Sequence, residues 1–103
     1  MHVTKLMMAE RLKNGETIKC YKESGNSMVP LIYSHEAVDI SPVTRPLQKG
    51  DMVFCRIGRR FFTHLVTAVD GNRVQISNNH GHVNGWTHKS HVYGLVSLSE
   101  PRS

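Results

Sequence analysis

Turn-forming residues divide this chain into short segments, and their close spacing limits the folds that it can adopt. Asn14-Gly15, Ser41-Pro42, Gly58-Arg59 and Asp70-Gly71-Asn72 each interrupt the sequence with a turn signal. The segments between them carry alternating or β-branched apolar residues, which is typical of short strands. We therefore predict strands over residues 17–21, 37–40, 52–57, 60–69, 73–77 and 92–98.

One segment has a helical pattern instead. Residues 4–13 place Leu6, Met7 and Leu12 among charged side chains, which predicts one short amphipathic helix that ends at Asn14-Gly15. Residues 78–85 are rich in Asn, Gly and His, and we expect a loop there. One terminal helix followed by several short strands predicts a mainly β protein, either a sandwich or a partly open barrel.

Length and composition fit one globular domain over residues 1–103. The chain is 39% hydrophobic and 20% charged, which argues against disorder. No apolar stretch approaches the roughly 20 residues that cross a bilayer, so we expect no transmembrane anchor. Because the first residues do not resemble a signal peptide, we expect a soluble, cytoplasmic protein in which Cys20 and Cys55 stay reduced.

The charge and the histidines permit two other interpretations, which we consider weaker. The net charge is +5, and Arg56, Arg59 and Arg60 cluster, so a nucleic-acid-binding β-barrel is a minor alternative. No helix-turn-helix pattern or aromatic ribonucleoprotein signature supports that alternative. The pairs His80/His82 and His88/His91 have no cysteine or acid beside them, so we interpret them as surface residues and expect no metal or cofactor.

Ser27 lies where the chain changes from polar to apolar residues. Gly25 and Asn26 precede it, Gly25 permits backbone conformations closed to other residues, and Pro30 fixes φ just beyond it. Met28 and Leu31-Ile32 would anchor the bend in an apolar environment, which would hold the Ser27 hydroxyl on a defined bend with its own N–H free. Such an arrangement suits a nucleophile next to an oxyanion-binding donor. A polar turn without catalytic function is the alternative.

His64 is the candidate base for that nucleophile. On a strand over residues 60–69, Phe62, His64, Val66 and Ala68 share one face. An imidazole among apolar side chains is desolvated, which favours its neutral, proton-accepting form. A histidine that is simply hydrogen-bonded within the core is the alternative.

These residues also carry a family resemblance. The order Gly-x-Ser27-Met28-x-Pro30, then Gly50-Asp51-x-Val53, then His64-x-Val66 resembles the Ser-Met-x-Pro peptidases, which include signal peptidases and LexA-type self-cleaving repressors. Many members of that superfamily place a lysine where this chain has His64, whereas the archaeal and endoplasmic-reticulum signal peptidases place a histidine. The resemblance spans about residues 16–96 and is closest to small bacterial or phage-type members.

The resemblance implies a compact, coiled β-sheet in which Ser27 is the nucleophile and His64 is the base. Gly50-Asp51 precedes a strand, as the Gly-Asp turn of that superfamily does, and we interpret Asp51 as a turn residue that caps backbone N–H groups rather than as a catalyst. Where the histidine branch has aspartates, this chain has Ser77 and Asn78, which we consider as possible orienting partners of His64. Asp39 or Asp70 could substitute for that acid in space.

Two functions follow from the sequence. The first is a serine endopeptidase that cleaves a peptide or protein substrate by acyl-enzyme chemistry, with the extended substrate added alongside an exposed strand. The second is a non-catalytic module that keeps the peptidase fold and binds a protein partner, a hypothesis motivated by the missing acid.

Overall fold

A computed structural model of the protein describes residues 4–101. The described chain contains one helix, α1, and seven strands, with a short 3₁₀ turn at Lys89–His91 before the last strand. Their bounds are α1 Lys5–Lys13, β1 Ile18–Tyr21, β2 Val38–Pro42, β3 Met52–Ile57, β4 Arg60–Asp70, β5 Arg73–Ser77, β6 Val83–His88 and β7 Val92–Leu98. The prediction of a mainly β protein with one short N-terminal helix is confirmed.

All seven strands form a single antiparallel sheet in the order β1-β2-β7-β3-β4-β5-β6. The sheet coils so that its β6 end returns towards β3, although β4 and β5 lie between them in the strand order. The hydroxyl of Thr87 on β6 donates to the carbonyl of Arg56 on β3 at 2.8 Å. The fold is therefore a coiled, open sheet, which right-handed strand twist favours, and not a sandwich of two sheets.

Helix α1 covers one face of this sheet. The Thr4 hydroxyl accepts a hydrogen bond from the N–H of Met7 and caps the first turn. The side chains that face the sheet are Met8, Ala9 and Leu12, whose spacing places them on one side of the helix. Leu6 and Met7 are exposed, so the amphipathic helix is present but its apolar face is shifted from the predicted one. No helix among residues 4–101 is long and apolar enough to cross a membrane.

Strand β3 is the centre of the hydrophobic core because both of its faces are buried. Phe54 points into a cluster that includes α1, whereas Val53 and Cys55 point into a second cluster on the opposite face, as strand alternation requires. Phe54 stacks on Phe61 of β4 with ring centroids 5.6 Å apart. Continuous burial along a strand shows that it is covered from both sides.

Strand β6 is the one strand among the described residues that the sequence pattern did not predict. Residues 78–85 were expected to be a loop, but Val83–His88 pairs with β5. Asn84 and Gly85 disfavour strands, and Gly85 has a φ of 142° at an irregularity in the β5–β6 register. The free edge of β5 offers hydrogen bonds that outweigh this weak local preference.

Candidate functional site

Ser27 lies on an irregular bend between β1 and β2. Gly25 has a φ of 124°, a conformation that side-chain-bearing residues rarely adopt. Met28 is only 5% exposed and its carbonyl accepts from the N–H groups of Leu31 and Ile32 at 2.7 and 3.0 Å. The bend is thus anchored through Met28 in the apolar interior, while Ser27 itself stays exposed.

The loop after β5 holds this bend in place from the other side. The N–H of Asn79 donates to the Ser27 carbonyl at 2.8 Å, and its side-chain amide donates to the Val29 carbonyl at 3.1 Å. The Nε2 of His80 donates to the carbonyl of Asn26 at 2.9 Å. These three hydrogen bonds, to the carbonyls of Asn26, Ser27 and Val29, fix the backbone position of the serine.

His64 reaches Ser27 from strand β4. Its Nε2 lies 3.0 Å from the Ser27 Oγ, which is hydrogen-bond distance. The imidazole is half-buried, and its ring centroid lies 5.2 Å from that of Phe62. The structure therefore brings together the serine and the histidine that the sequence singled out, from positions 37 residues apart.

The other ring nitrogen of His64 contacts Asn84 on strand β6. Nδ1 lies 2.6 Å from the amide oxygen of Asn84. Because a carbonyl oxygen can only accept, Nδ1 carries the proton in this pair, and the lone pair of Nε2 then faces the Ser27 hydroxyl. Asn84 thus selects the tautomer of His64 that can accept the serine proton.

Burial keeps that imidazole neutral. Desolvation lowers the pKa of His64 below its usual 6.5, against a smaller opposing influence of the Asn84 hydrogen bond and of the Glu23 charge. A neutral imidazole at pH 7 is the form that a general base requires.

The residues predicted to orient His64 lie elsewhere. Ser77 pairs with Leu65 of β4, so its side chain lies on the Leu65 face, opposite to that of His64. Its hydroxyl is buried and contacts the hydroxyl of Thr67 at 2.8 Å. Asn78 accepts from the N–H groups of His80 and His82 and so shapes the loop. Neither forms a hydrogen bond with His64, whereas Asn84 does.

The two candidate acids do not fill that position either. Asp39, on strand β2, accepts hydrogen bonds from the Cys20 N–H and the Ser99 hydroxyl and forms an ion pair with Lys19, so its carboxylate is bonded to β1 and to the residue that follows β7. Asp70 is exposed at the end of β4, six positions beyond His64 along the same strand. The hydrogen-bond partner of His64 Nδ1 is therefore the neutral amide of Asn84.

A hydrogen-bond donor is available next to the Ser27 hydroxyl. Within residues 4–101, the N–H of Ser27 has no bonded acceptor. When a serine oxygen attacks a carbonyl group, the carbonyl oxygen becomes an oxyanion, and a backbone N–H beside the attacking oxygen can donate a hydrogen bond to it. The bend thus presents the Oγ and a donor on the same residue.

A cleft of about 100 Å³ opens next to the Ser27–His64 pair. Apolar and aromatic side chains form much of its wall, together with two glutamates, and the lining includes Tyr21, Glu23, Ile32, Glu36, Phe61 and Phe62.

Within the cleft, the Thr63 hydroxyl donates to Glu23 at 2.6 Å, and Lys5 forms an ion pair with Glu23 at 3.1 Å. Burial and the Glu23 charge raise the pKa of Tyr21 to about 12, so its phenol stays neutral.

Sequence reasoning missed Asn84, Glu23 and Asn79. Asn84 lay in a segment interpreted as loop, and no spacing rule joins it to His64, 20 residues away. Glu23 immediately precedes the Ser27 motif, but a glutamate in a polar stretch carries no signal of its own. Only the coiling of the sheet brings Asn84 of β6 and the polar stretch around Glu23 close to His64.

The remaining motifs have structural partners. The carboxylate of Asp51 accepts from the Gln48 N–H at 2.7 Å and pairs with both terminal nitrogens of Arg45, so its predicted turn-capping role is confirmed. Arg45 lowers the pKa of Asp51 through these hydrogen bonds.

The Arg60 guanidinium packs over the ring of Phe62. Among residues 4–101, no three His, Cys, Asp or Glu side chains are placed to hold a metal ion.

The sequence matches no protein-family model, and no curated protein or solved structure is significantly similar to the chain.

Proposed function

We propose that this protein is a serine peptidase in which Ser27 is the nucleophile and His64 is the general base. The observation that carries this proposal is the 3.0 Å contact between His64 Nε2 and Ser27 Oγ, at an imidazole that is kept neutral by burial. Its support from the sequence is the resemblance to the Ser-Met-x-Pro peptidases.

Each catalytic step has a residue to perform it. His64 Nε2 takes the proton of the Ser27 hydroxyl while Oγ attacks the scissile carbonyl, and the N–H of Ser27 donates to the resulting oxyanion. The imidazolium then gives its proton to the leaving amine, and an acyl-enzyme ester remains. Water hydrolyses that ester with His64 again as the base, which releases the acid product and regenerates Ser27.

An unpaired strand edge lies beside the nucleophile. The β4–β5 ladder begins at Leu65 and Ser77, so among the described residues the 60–64 portion of β4 has a ladder partner only on its β3 side. An extended peptide could form backbone hydrogen bonds with this edge and pass Ser27. The substrate class that fits is therefore an extended, unfolded segment of a peptide or protein.

Cleavage of a diverse peptide pool, followed by mass spectrometry, tests the proposal. We expect defined cuts with the wild-type protein and a loss of at least about 100-fold in rate for Ser27→Ala and for His64→Ala. Ser97→Ala, an exposed serine on β7, is the matched control and should cleave normally. A Ser27→Ala protein that cuts at the wild-type rate contradicts the proposal.

A non-catalytic binding module is the second candidate, and the neutral partner of His64 favours it. An amide stabilises an imidazolium less than a carboxylate does, which weakens a Ser-His mechanism. In this alternative, a protein partner occupies the same β4 edge without being cleaved. Equal partner affinity of the wild type and of the Ser27→Ala/His64→Ala double variant, without cleavage by either, would support it.

A further inference from the structure

The charges of this protein are distributed unequally between its surface and its cleft. The chain carries 13 lysines and arginines against 8 acidic residues. None of the described lysines or arginines lines the cleft beside Ser27, whereas Glu23 and Glu36 both do. A basic protein thus has an acidic and aromatic cleft beside its candidate nucleophile.

Glu23 lies close to the Ser27–His64 pair. Its Oε1 accepts from Thr63, the residue next to His64 on β4, and neighbouring Cα atoms are about 3.8 Å apart. Thr63 and His64 point to opposite faces of the strand, yet both line the cleft. The cleft therefore wraps around the unpaired edge of β4, where a bound peptide would place its side chains.

The Glu23 carboxylate already binds an ammonium group. Lys5 reaches it from α1 and places Nζ 3.1 Å from Oε2, although Lys5 itself does not line the cleft. Both side chains remain partly exposed, at 42% for Lys5 and 32% for Glu23, and ion pairs with such exposure are weak. A carboxylate offers about four acceptor sites, so a second cation can share Glu23 or replace Lys5.

The walls of the cleft match the rest of a basic side chain. Tyr21, Ile32 and Phe61 present apolar surface that can cover the methylene groups of lysine or arginine. Aromatic faces attract cations in addition. The net charge of +5 opposes a basic ligand only weakly, because salt screens distant charges beyond about 8 Å at physiological ionic strength.

We propose that this cleft is a specificity subsite for a lysine or arginine side chain next to the scissile bond, with Glu23 as its charge partner. This inference depends on the proposed function, since it names the substrate class of the same site. It makes Glu23 a specificity-determining residue and Lys5 an internal competitor for the incoming cation.

Affinity selection separates the subsite from the chemistry. A randomised octapeptide pool that contains norleucine is passed over immobilised Ser27→Ala protein, and bound peptides are sequenced by mass spectrometry. We expect Lys and Arg to be enriched at least tenfold over norleucine at one position. Adding Glu23→Gln should reduce this enrichment to less than threefold, whereas Glu16→Gln, an exposed glutamate near Arg11, should leave it unchanged.

Lys5→Met in the same Ser27→Ala background provides a test that does not depend on the folding of the Glu23 variant. Removal of the competing ammonium should increase the enrichment of Lys and Arg. The proposal is overturned if basic residues are not enriched, or if neither the Glu23 nor the Lys5 substitution changes their enrichment. Wild-type cleavage of the same pool reports on the proposed function separately, because selective binding without cleavage would remove only the peptidase activity.

Discussion

The hydrogen bond between Asn84 and His64 predicts what removal of the Asn84 side chain should do. The amide oxygen of Asn84 accepts from Nδ1 of His64 at 2.6 Å, so Asn84→Ala should leave the imidazole without its orienting partner. Under the proposed mechanism, we expect kcat/KM for peptide cleavage to fall about 10- to 100-fold, a smaller loss than the roughly 10²- to 10⁴-fold that removal of the base itself would cause. Asn72→Ala, at an exposed turn, is the matched control.

Asn84→Asp distinguishes an orienting role from a structural one. A carboxylate at this position stabilises the imidazolium and should raise the pKa of His64, which moves the acid limb of the pH–rate profile to higher pH. A merely structural asparagine would change the amplitude of that profile without moving its midpoint.

The titration of His64 is a second prediction at the residue scale. Burial lowers its pKa, so its NMR titration midpoint should lie below 6.5. Between that midpoint and 6.5 the unfolded chain binds more protons than the folded one, so this group destabilises the fold as the pH falls below 6.5. Activity that needs the neutral imidazole should fall in the same direction. A midpoint at or above 6.5 would contradict the assignment.

Among the glycines of the chain, Gly94 on strand β7 leaves the least space for a side chain. A Cβ added at Gly94 would lie 2.5 Å from Cγ2 of Ile40 and 2.8 Å from the carbonyl oxygen of Ser41, both on the neighbouring strand β2. Gly94→Ala should therefore destabilise the protein by about 1–3 kcal/mol. Denaturant unfolding measures the change, and Ser97→Ala on the exposed side of the same strand should remain within about 0.5 kcal/mol of wild type. A Gly94→Ala protein as stable as wild type would contradict the close approach of β2 and β7 at this position.

At the scale of the whole molecule, the two cysteines report on global unfolding. Cys20 is exposed, whereas Cys55 is fully buried on the central strand β3 and burial raises its pKa to about 12. We expect one thiol to react promptly with a thiol reagent at pH 8 and the second to react only as the protein unfolds. Cys20→Ser should abolish the fast phase. Prompt reaction of both thiols would contradict a closed core.

The elements that could be predicted from sequence are those with strong local patterns. Short apolar segments between turn signals predicted β3, β4 and β7, and Thr4 and Asn14-Gly15 bound a helix where a short amphipathic segment was expected. Strand β6 escaped prediction because Asn84 and Gly85 have low strand preference, and their pairing depends on the edge that β5 offers.

The same division applies to the site. The sequence by itself singled out Ser27 and His64 as a candidate pair, because the bend around Ser27 and the apolar strand around His64 are local features that a motif can record. Only the tertiary structure decided what surrounds them. The coiling of the sheet brings Asn84 to His64 and brings Glu23 to Thr63, 40 positions away in the sequence. No fixed sequence spacing joins the residues of such long-range contacts. Strand parity turned Ser77 to the opposite face, which a one-dimensional pattern cannot reveal without knowledge of the register.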